Sequence, residues 1–257
     1  MRIQNRMRIF LAGINSGMNK QIRQKIYKKY KAKYALETFF NGGNKCKKAL
    51  DFVGNENFLL DSGAFSYMNG AKITFEEMQK YVNRYIEFIN KYDVKYFFEI
   101  DVDNIFGLKQ VEKWRKQIEK ETNKKCIPVW HKGRGVQYWK DMCEKYDYVA
   151  IGGLVFHVKK QEYELIRKLV NYAYKKGVKV HGLGFTKTAD LHRYKFYSVD
   201  SASWIRAAAL GQQRYTFVHD HMICKRISSK GKKTNIALLS ANNYIEWCKY
   251  QRYMEEK

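Results

Sequence analysis

The sequence predicts an α/β fold: a closed (β/α)8 TIM barrel with a basic insertion after the first strand. Two observations predict it. Near-continuous apolar runs of strand length recur along the chain. Parallel strands covered by helices read this way. Between the runs, the apolar period changes to that of amphipathic helices. The alternation repeats about seven times, which favours a closed barrel over an open, doubly wound sheet.

Arg8 to Ile14 reads as the first strand. Residues 15–57 then break the rhythm. Lys20 to Lys48 holds ten Lys or Arg, and Glu37 is its one acid. Bases and aromatics interleave from Lys20 to Tyr30. This stretch is expected to be an insertion that grips phosphates. Phe58 to Leu60 is the next strand and delivers Asp61. Thr74-Phe75-Glu76-Glu77 is a capping box that opens a helix with Met78, Tyr81, Val82, Tyr85 and Ile89 on one face.

Tyr96 to Ile100 leads to Asp101 and Asp103. A helix follows, marked by Leu108, Val111, Arg115 and Ile118. Ile127 to Trp130 leads to His131, and Tyr148 to Ile151 leads to Gly152-Gly153-Leu154. Leu165, Ile166, Leu169, Val170 and Ala173 mark another helix, with Gly177 as its stop. Val178 to His181 leads to Gly182-Leu183-Gly184, and Tyr197 to Val199 leads to Asp200. The eighth strand is the least distinct; Tyr215 to His219 is the candidate. A helix from Thr234 to Tyr253 packs through Ile236, Leu239, Ile245, Trp247 and Cys248. No domain boundary is visible, so 1–257 reads as a single domain ending in a hairpin and helix over about 212–257.

The net charge is +24, from 49 Lys and Arg against 25 Asp and Glu. Such a surplus favours a polyanionic partner, and nucleic acid is the first candidate. The alternative is a Lys-rich proteome. Lys225, Arg226, Lys230, Lys232 and Lys233 form a second basic cluster, which also suits a solvated loop. No apolar run reaches the ~18 residues of a membrane span. Ile9-Phe10-Leu11-Ala12 is too short for a signal-peptide core. Five cysteines at wide spacings, with no CxxC, fit a reducing cytosol, so a cytoplasmic location is expected.

Four polar features fall where a barrel presents its site: Asp61, the pair Asp101 and Asp103, the two glycine motifs, and Asp200. Any one acid there also suits an N-cap. An unpaired buried carboxylate is costly, so acids at buried strand ends need partners. Two such acids meet the needs of exchange at a glycosidic carbon, where one attacks and the other moves protons. The proton carrier works best when burial raises its pKa. His181 or Phe65 alone is ordinary core. On facing strand ends, the two rings would sandwich a planar base.

Asp61-Ser62-Gly63-Ala64-Phe65, Ile151-Gly152-Gly153-Leu154, His181-Gly182-Leu183-Gly184 and Val199-Asp200-Ser201 occur in this order. Together they resemble the guanine transglycosylases, which exchange guanine for a 7-deazaguanine in nucleic acid. Val199 to Trp204 looks most like the compact, often phage-encoded branch that modifies DNA. The resemblance covers roughly residues 8–210.

It implies that Asp200 is the nucleophile and Asp61 the general acid/base. It implies that Asp101 bonds the base edge with help from Ser62, and that Gly153 and Leu154 offer backbone contacts. Phe65 and His181 would stack on the two faces of the base, although the family more often has Met in the second place. His131 stands where the tRNA enzymes carry Gln, which leaves its role open. No cofactor is implied. The partners implied are nucleic acid and a 7-deazaguanine base (preQ0/preQ1-type), with no membrane, and the cytoplasm could be that of a phage-infected host.

The tRNA enzymes hold a structural zinc through CxCxxC and a later His. No CxCxxC occurs here; His219, His221, Cys224 and Cys248 are the alternative set. The same stretch reads as a simple hairpin, and no metal is expected. The short chain shows no added tRNA-binding domain, which favours DNA over tRNA. A tRNA enzyme or an inactive nucleic-acid-binding barrel are the alternatives.

Overall fold

Successive residues of the first strand enter two different cores. Ile9 and Leu11 join one buried cluster and Phe10 the other. A strand buried on both faces alternates in this way, because its side chains have a period of two. In the computed structural model, residues 6–16, 18–68, 73–154, 160–185, 191–227 and 235–256 are described.

The first half runs β1 (Arg8–Ala12), α1 (Lys20–Lys29), β2 (Ala35–Thr38), α2 (Gly43–Val53), β3 (Phe58–Asp61), α3 (Ala64–Met68) and α4 (Phe75–Lys91). Next come α5 (Asp103–Phe106), α6 (Leu108–Thr122), β4 (Val129–Trp130), α7 (Gly135–Lys145), β5 (Tyr148–Ile151), α8 (Lys160–Lys175) and β6 (Lys179–Gly182). The chain ends with β7 (Ser198–Ser201), α9 (Ser203–Gly211), β8 (Gln213–Val218), β9 (His221–Arg226) and α10 (Ile236–Glu256). The capping box at Thr74 forms in both directions and starts α4.

The closed (β/α)8 barrel does not form. Seven parallel strands make one sheet in the order β3-β2-β1-β7-β6-β5-β4. It curls through 226°, a half-barrel open between β3 and β4. The segment expected as a strand at Tyr96 to Ile100 lies in that gap. It meets each edge through one isolated bridge, Leu60 with Phe97 and Phe98 with Ile127. Side chains occupy backbone groups at both edges: on the β3 side the Tyr85 hydroxyl donates to the Phe98 carbonyl at 2.9 Å. The Val129 amide donates to Glu99 Oε1 at 2.7 Å. That carboxylate takes the amide that a continuing ladder would bind, and the pairing stops.

Residues 15–57 are not an insertion. They hold β2, which pairs with β1 on one side and β3 on the other. The acid Glu37 interrupts its apolar run, which hid the strand. Glu37 is nevertheless 1% exposed, and its Oε1 accepts from the Asn15 amide at 3.1 Å. The eighth strand expected at Tyr215 to His219 is also corrected. It pairs antiparallel with β9 in a separate sheet, Val218 opposite His221. Its residues alternate in exposure, as a half-covered hairpin does.

The inner face of the curl holds Phe10, Leu36, Leu59, Phe98, Val129 and Ala150. The outer face packs against the helices. α10 returns to β1 and β2: Gln251 Nε2 donates to Ile9 and Tyr34 carbonyls, and its Oε1 accepts from Lys33. Among the described residues, no helix is long and apolar enough to cross a membrane.

Candidate active site

Parallel strands bring their C-terminal ends to one side of a sheet, where ligands bind in such folds. β3 ends in Asp61 and β7 carries Asp200 one residue before its end. Asp200 sits opposite Phe10 of β1, and Asp61 opposite Thr38 of β2. Two strands therefore separate the acids along the sheet, and the curl turns both inward. Asp101 follows the bridged segment between β3 and β4.

The three acids share one electrostatic environment. Burial raises the Asp61 pKa from 3.8 to about 7; the Asp101 charge adds to it, and so does that of Asp200. Thr38 and the Gly63 amide act the other way and are outweighed. An acid held near neutrality can both give and take a proton. Gly63 keeps this corner tight. Its φ is +79°, and a Cβ there would lie 2.5 Å from the Phe40 Cβ.

Asp200 is treated differently. Its Oδ1 accepts from the Gly184 amide at 2.6 Å and lies 3.2 Å from His181 Nε2. Asp200 is 8% exposed, so little water competes for these bonds.

Asp101 Oδ2 is paired with His131 Nε2 at 2.7 Å. Burial opposes the His131 cation, but the Asp101 hydrogen bond and charge prevail and raise its pKa. The His131 ring lies over Gly152, where a Cβ would come within 2.4 Å of its Cε1. That contact explains the glycine after β5. Behind the pair, Arg134 bonds Glu99 Oε1 at 2.7 Å and forks onto both oxygens of Asp103. Arg115 Nη1 lies 3.3 Å from the other oxygen of Glu99. This buried network anchors the bridged segment to the start of α7.

The other expected residues divide. Gly153 is exposed, with a Cβ position 3.9 Å from His131 Nδ1, and Leu154 is partly exposed. Ser62 is buried, and its Oγ accepts from the Ala64 amide at 3.4 Å, so its hydroxyl starts α3. The Phe65 side chain lies outside the described residues. His181 does not offer a face to a base, and that expectation is corrected. Its ring is 0% exposed and packs against Phe10 and Phe98, at 6.0 and 5.1 Å between centroids.

Sequence reasoning missed three groups. Ser198 and Tyr148 reach His181 from below, Arg134 and Glu99 hold the segment before Asp101, and Phe40 is exposed beside Gly63. The inward alternation of β7 pointed to Ser198, two residues before Asp200. Nothing local marked the others.

Two surface grooves lie elsewhere, one over α4 beside Lys80 and Arg84, one between α6 and α7 beside Glu112 and Asp141. Among the described residues, no group of three or more His, Cys, Asp or Glu is placed to hold a metal ion. Cys248 is buried in α10, whereas Cys224 is exposed on β9. No protein-family model matches the chain, and a search of curated proteins finds no match.

Proposed function

We propose that this protein is a base-exchange transglycosylase that replaces guanine in DNA with a 7-deazaguanine through a covalent glycosyl-aspartate. One observation carries the reading. Two acids 139 positions apart in the sequence (200 − 61) stand at the same end of one curled sheet, in different environments. Desolvation and neighbouring like charges raise the pKa of one to about 7; the other is held by hydrogen bonds on one oxygen. Environments that separate two carboxyls in this way assign them different roles.

Asp200 attacks the sugar C1′ as the bond to guanine breaks. Guanine leaves with the bonding pair and takes a proton from Asp61. The incoming base gives its proton to the Asp61 carboxylate and attacks C1′. The C1′–O bond to Asp200 then breaks, and the electron pair returns to its carboxylate. Both displacements pass through oxocarbenium-like states, which a carboxylate beneath C1′ stabilises. Asp101, with one oxygen on His131, keeps the other for the edge of the base. The target base must leave its stack to reach these groups.

The basic surface supports a nucleic-acid substrate. Lys20, Lys25, Lys28 and Lys29 are exposed on α1, the helix that follows β1. β1, which α1 follows in the chain, pairs with the strand of Asp200. The preference for DNA rests on the resemblance carried by Val199 to Trp204.

The test is a digest of DNA and tRNA from cells expressing the protein, analysed for 7-deazaguanine nucleosides by mass spectrometry. Modified DNA is the expected result. Modified tRNA with unmodified DNA overturns the substrate assignment. Neither, together with no exchange of labelled guanine in vitro, overturns the activity.

A further inference from the structure

We propose that His181 is a positioning residue that selects which oxygen of Asp200 reacts, and that Ser198 and Tyr148 set its tautomer. The chemical consequence rests on the transglycosylase reading; the tautomer does not.

Four side chains form a chain of contacts across the inner face of β5, β6 and β7. Tyr148 Oη lies 2.5 Å from Ser198 Oγ. Ser198 Oγ lies 2.7 Å from His181 Nδ1, and His181 Nε2 lies 3.2 Å from Asp200 Oδ1. Ser198 and His181 are each 0% exposed, so water does not complete their bonding. Register explains the assembly: His181 pairs with Ser198 across the β6–β7 ladder and with Ala150 across β5–β6. A buried polar group without a partner is costly, so the chain must run in a direction that satisfies every member.

The direction follows from donor counts. A carboxylate oxygen only accepts, so His181 Nε2, 3.2 Å from Asp200 Oδ1, carries a proton, and in a neutral ring Nδ1 is left to accept. Tyr148 donates to Ser198 Oγ. Ser198 then donates its own proton to His181 Nδ1. The imidazole proton is left on Nε2, aimed at Asp200. In a neutral ring, the reverse direction puts the proton on Nδ1 and sets a bare Nε2 against a carboxylate oxygen, acceptor against acceptor.

His181 and the Gly184 amide both converge on Oδ1. Oδ2 is thereby the oxygen left to bond C1′. Once the ester forms, Oδ1 is its carbonyl and still accepts both donors. When the arriving base displaces Asp200, charge returns to that carboxylate, where the two donors are already in place. This is the preorganisation that stabilises a developing oxyanion without rearrangement. His181 thus acts through Asp200 and touches neither sugar nor base.

The experiment has two arms on the full chain. In the first, 15N-histidine labelling reads the His181 ring by NMR, assigned by its loss in His181→Gln. A neutral ring protonated on Nε2 is expected; protonation on Nδ1, or on both nitrogens, overturns the proposal. Ser198→Ala should release the tautomer preference, and an unchanged ring signal would also overturn it.

The second arm follows base exchange and the covalent protein–nucleic acid species. His181→Phe should lower kcat about 10- to 100-fold, the worth of a hydrogen bond to a charged group, with KM for nucleic acid unchanged. The covalent species should accumulate, and His181→Gln, which keeps a donor toward Asp200, should restore most of the rate. A fall of kcat and KM together, or no rescue by Gln in a folded variant, sinks the positioning role. If the wild type exchanges no base on DNA or tRNA, the transglycosylase reading fails, and the NMR arm still decides the tautomer.

Discussion

Asp61 and Asp200 stand at the same end of parallel strands, yet their surroundings treat them differently. Around Asp200 the neighbours donate: the Gly184 amide and His181 both meet Oδ1. Around Asp61, burial and then the charges of Asp101 and Asp200 outweigh the hydrogen bonds of Thr38 and the Gly63 amide and raise its pKa to about 7. The residue type is constant, so the surroundings assign the chemistry. A carboxylate with its donors in place suits bonding to carbon. A carboxyl poised near neutral pH suits carrying a proton.

The largest effect should come from removing the nucleophile. Asp200→Asn is expected to lower base exchange by about 10³-fold or more, and Asp200→Ala should yield no covalent protein–nucleic acid species on denaturing gels. An alanine variant that still exchanges guanine would remove Asp200 as the nucleophile.

Asp61→Asn comes next, with a loss of about 10²- to 10⁴-fold, the range of general acid–base catalysis. The wild-type pH–rate profile should carry a limb near pH 7 that the variant lacks. Asp61 also has a signature in stability. Its folded pKa lies above its unfolded value of 3.8, so the native state holds the proton longer than the unfolded chain. Stability should fall as pH rises from about 4 to about 7, then level off. Asp61→Asn should remove that slope and raise stability at pH 8 by on the order of 2 kcal/mol or more, read from urea unfolding at several pH values. A wild type without the slope would mean that Asp61 is not poised.

Arg134 tests the support behind Asp101. Arg134→Ala leaves Asp103 without a guanidinium and Glu99 with Arg115 alone, and about 3 kcal/mol of stability should be lost. Thermal unfolding measures it, and a Tm close to wild type would mean that the segment before Asp101 is anchored elsewhere. The smallest effect belongs to the basic helix. Replacing Lys25, Lys28 and Lys29 by Gln should weaken DNA binding evenly across sequences. It should also flatten the plot of log K against log salt by about 0.9 for each phosphate that no longer meets a lysine. An unchanged slope would remove α1 from the nucleic-acid surface.

Strand ends that carry acids were legible because an apolar run closing on Asp61 or Asp200 is a local pattern. The glycines after β5 were legible for the same reason. β2 was not, since Glu37 breaks its apolar run, and what buries that acid is the distant Asn15 amide. His181 was read as a stacking ring because sequence shows a polar residue at a strand end but not which partners surround it. Tyr148 lies 50 positions from Ser198, and only pairing of three strands brings them together. Arg134 reaches Glu99 across 35 positions in the same way.

By itself, then, the chain's order of residues determined the α/β class, the helices with their apolar faces, the acids at strand ends and the strongly positive surface. These follow from period, composition and charge, which act over a few residues at a time. Tertiary structure decided that the sheet stays an open half-barrel, that β2 belongs to it, and that hydrogen bonds prevail at Asp200 while burial and like charge prevail at Asp61. Those outcomes depend on which side chain takes a given amide or approaches a given carboxyl. Glu99 on the Val129 amide is the clearest instance: one long-range hydrogen bond, invisible in the local pattern, ends a ladder that periodicity alone would have continued.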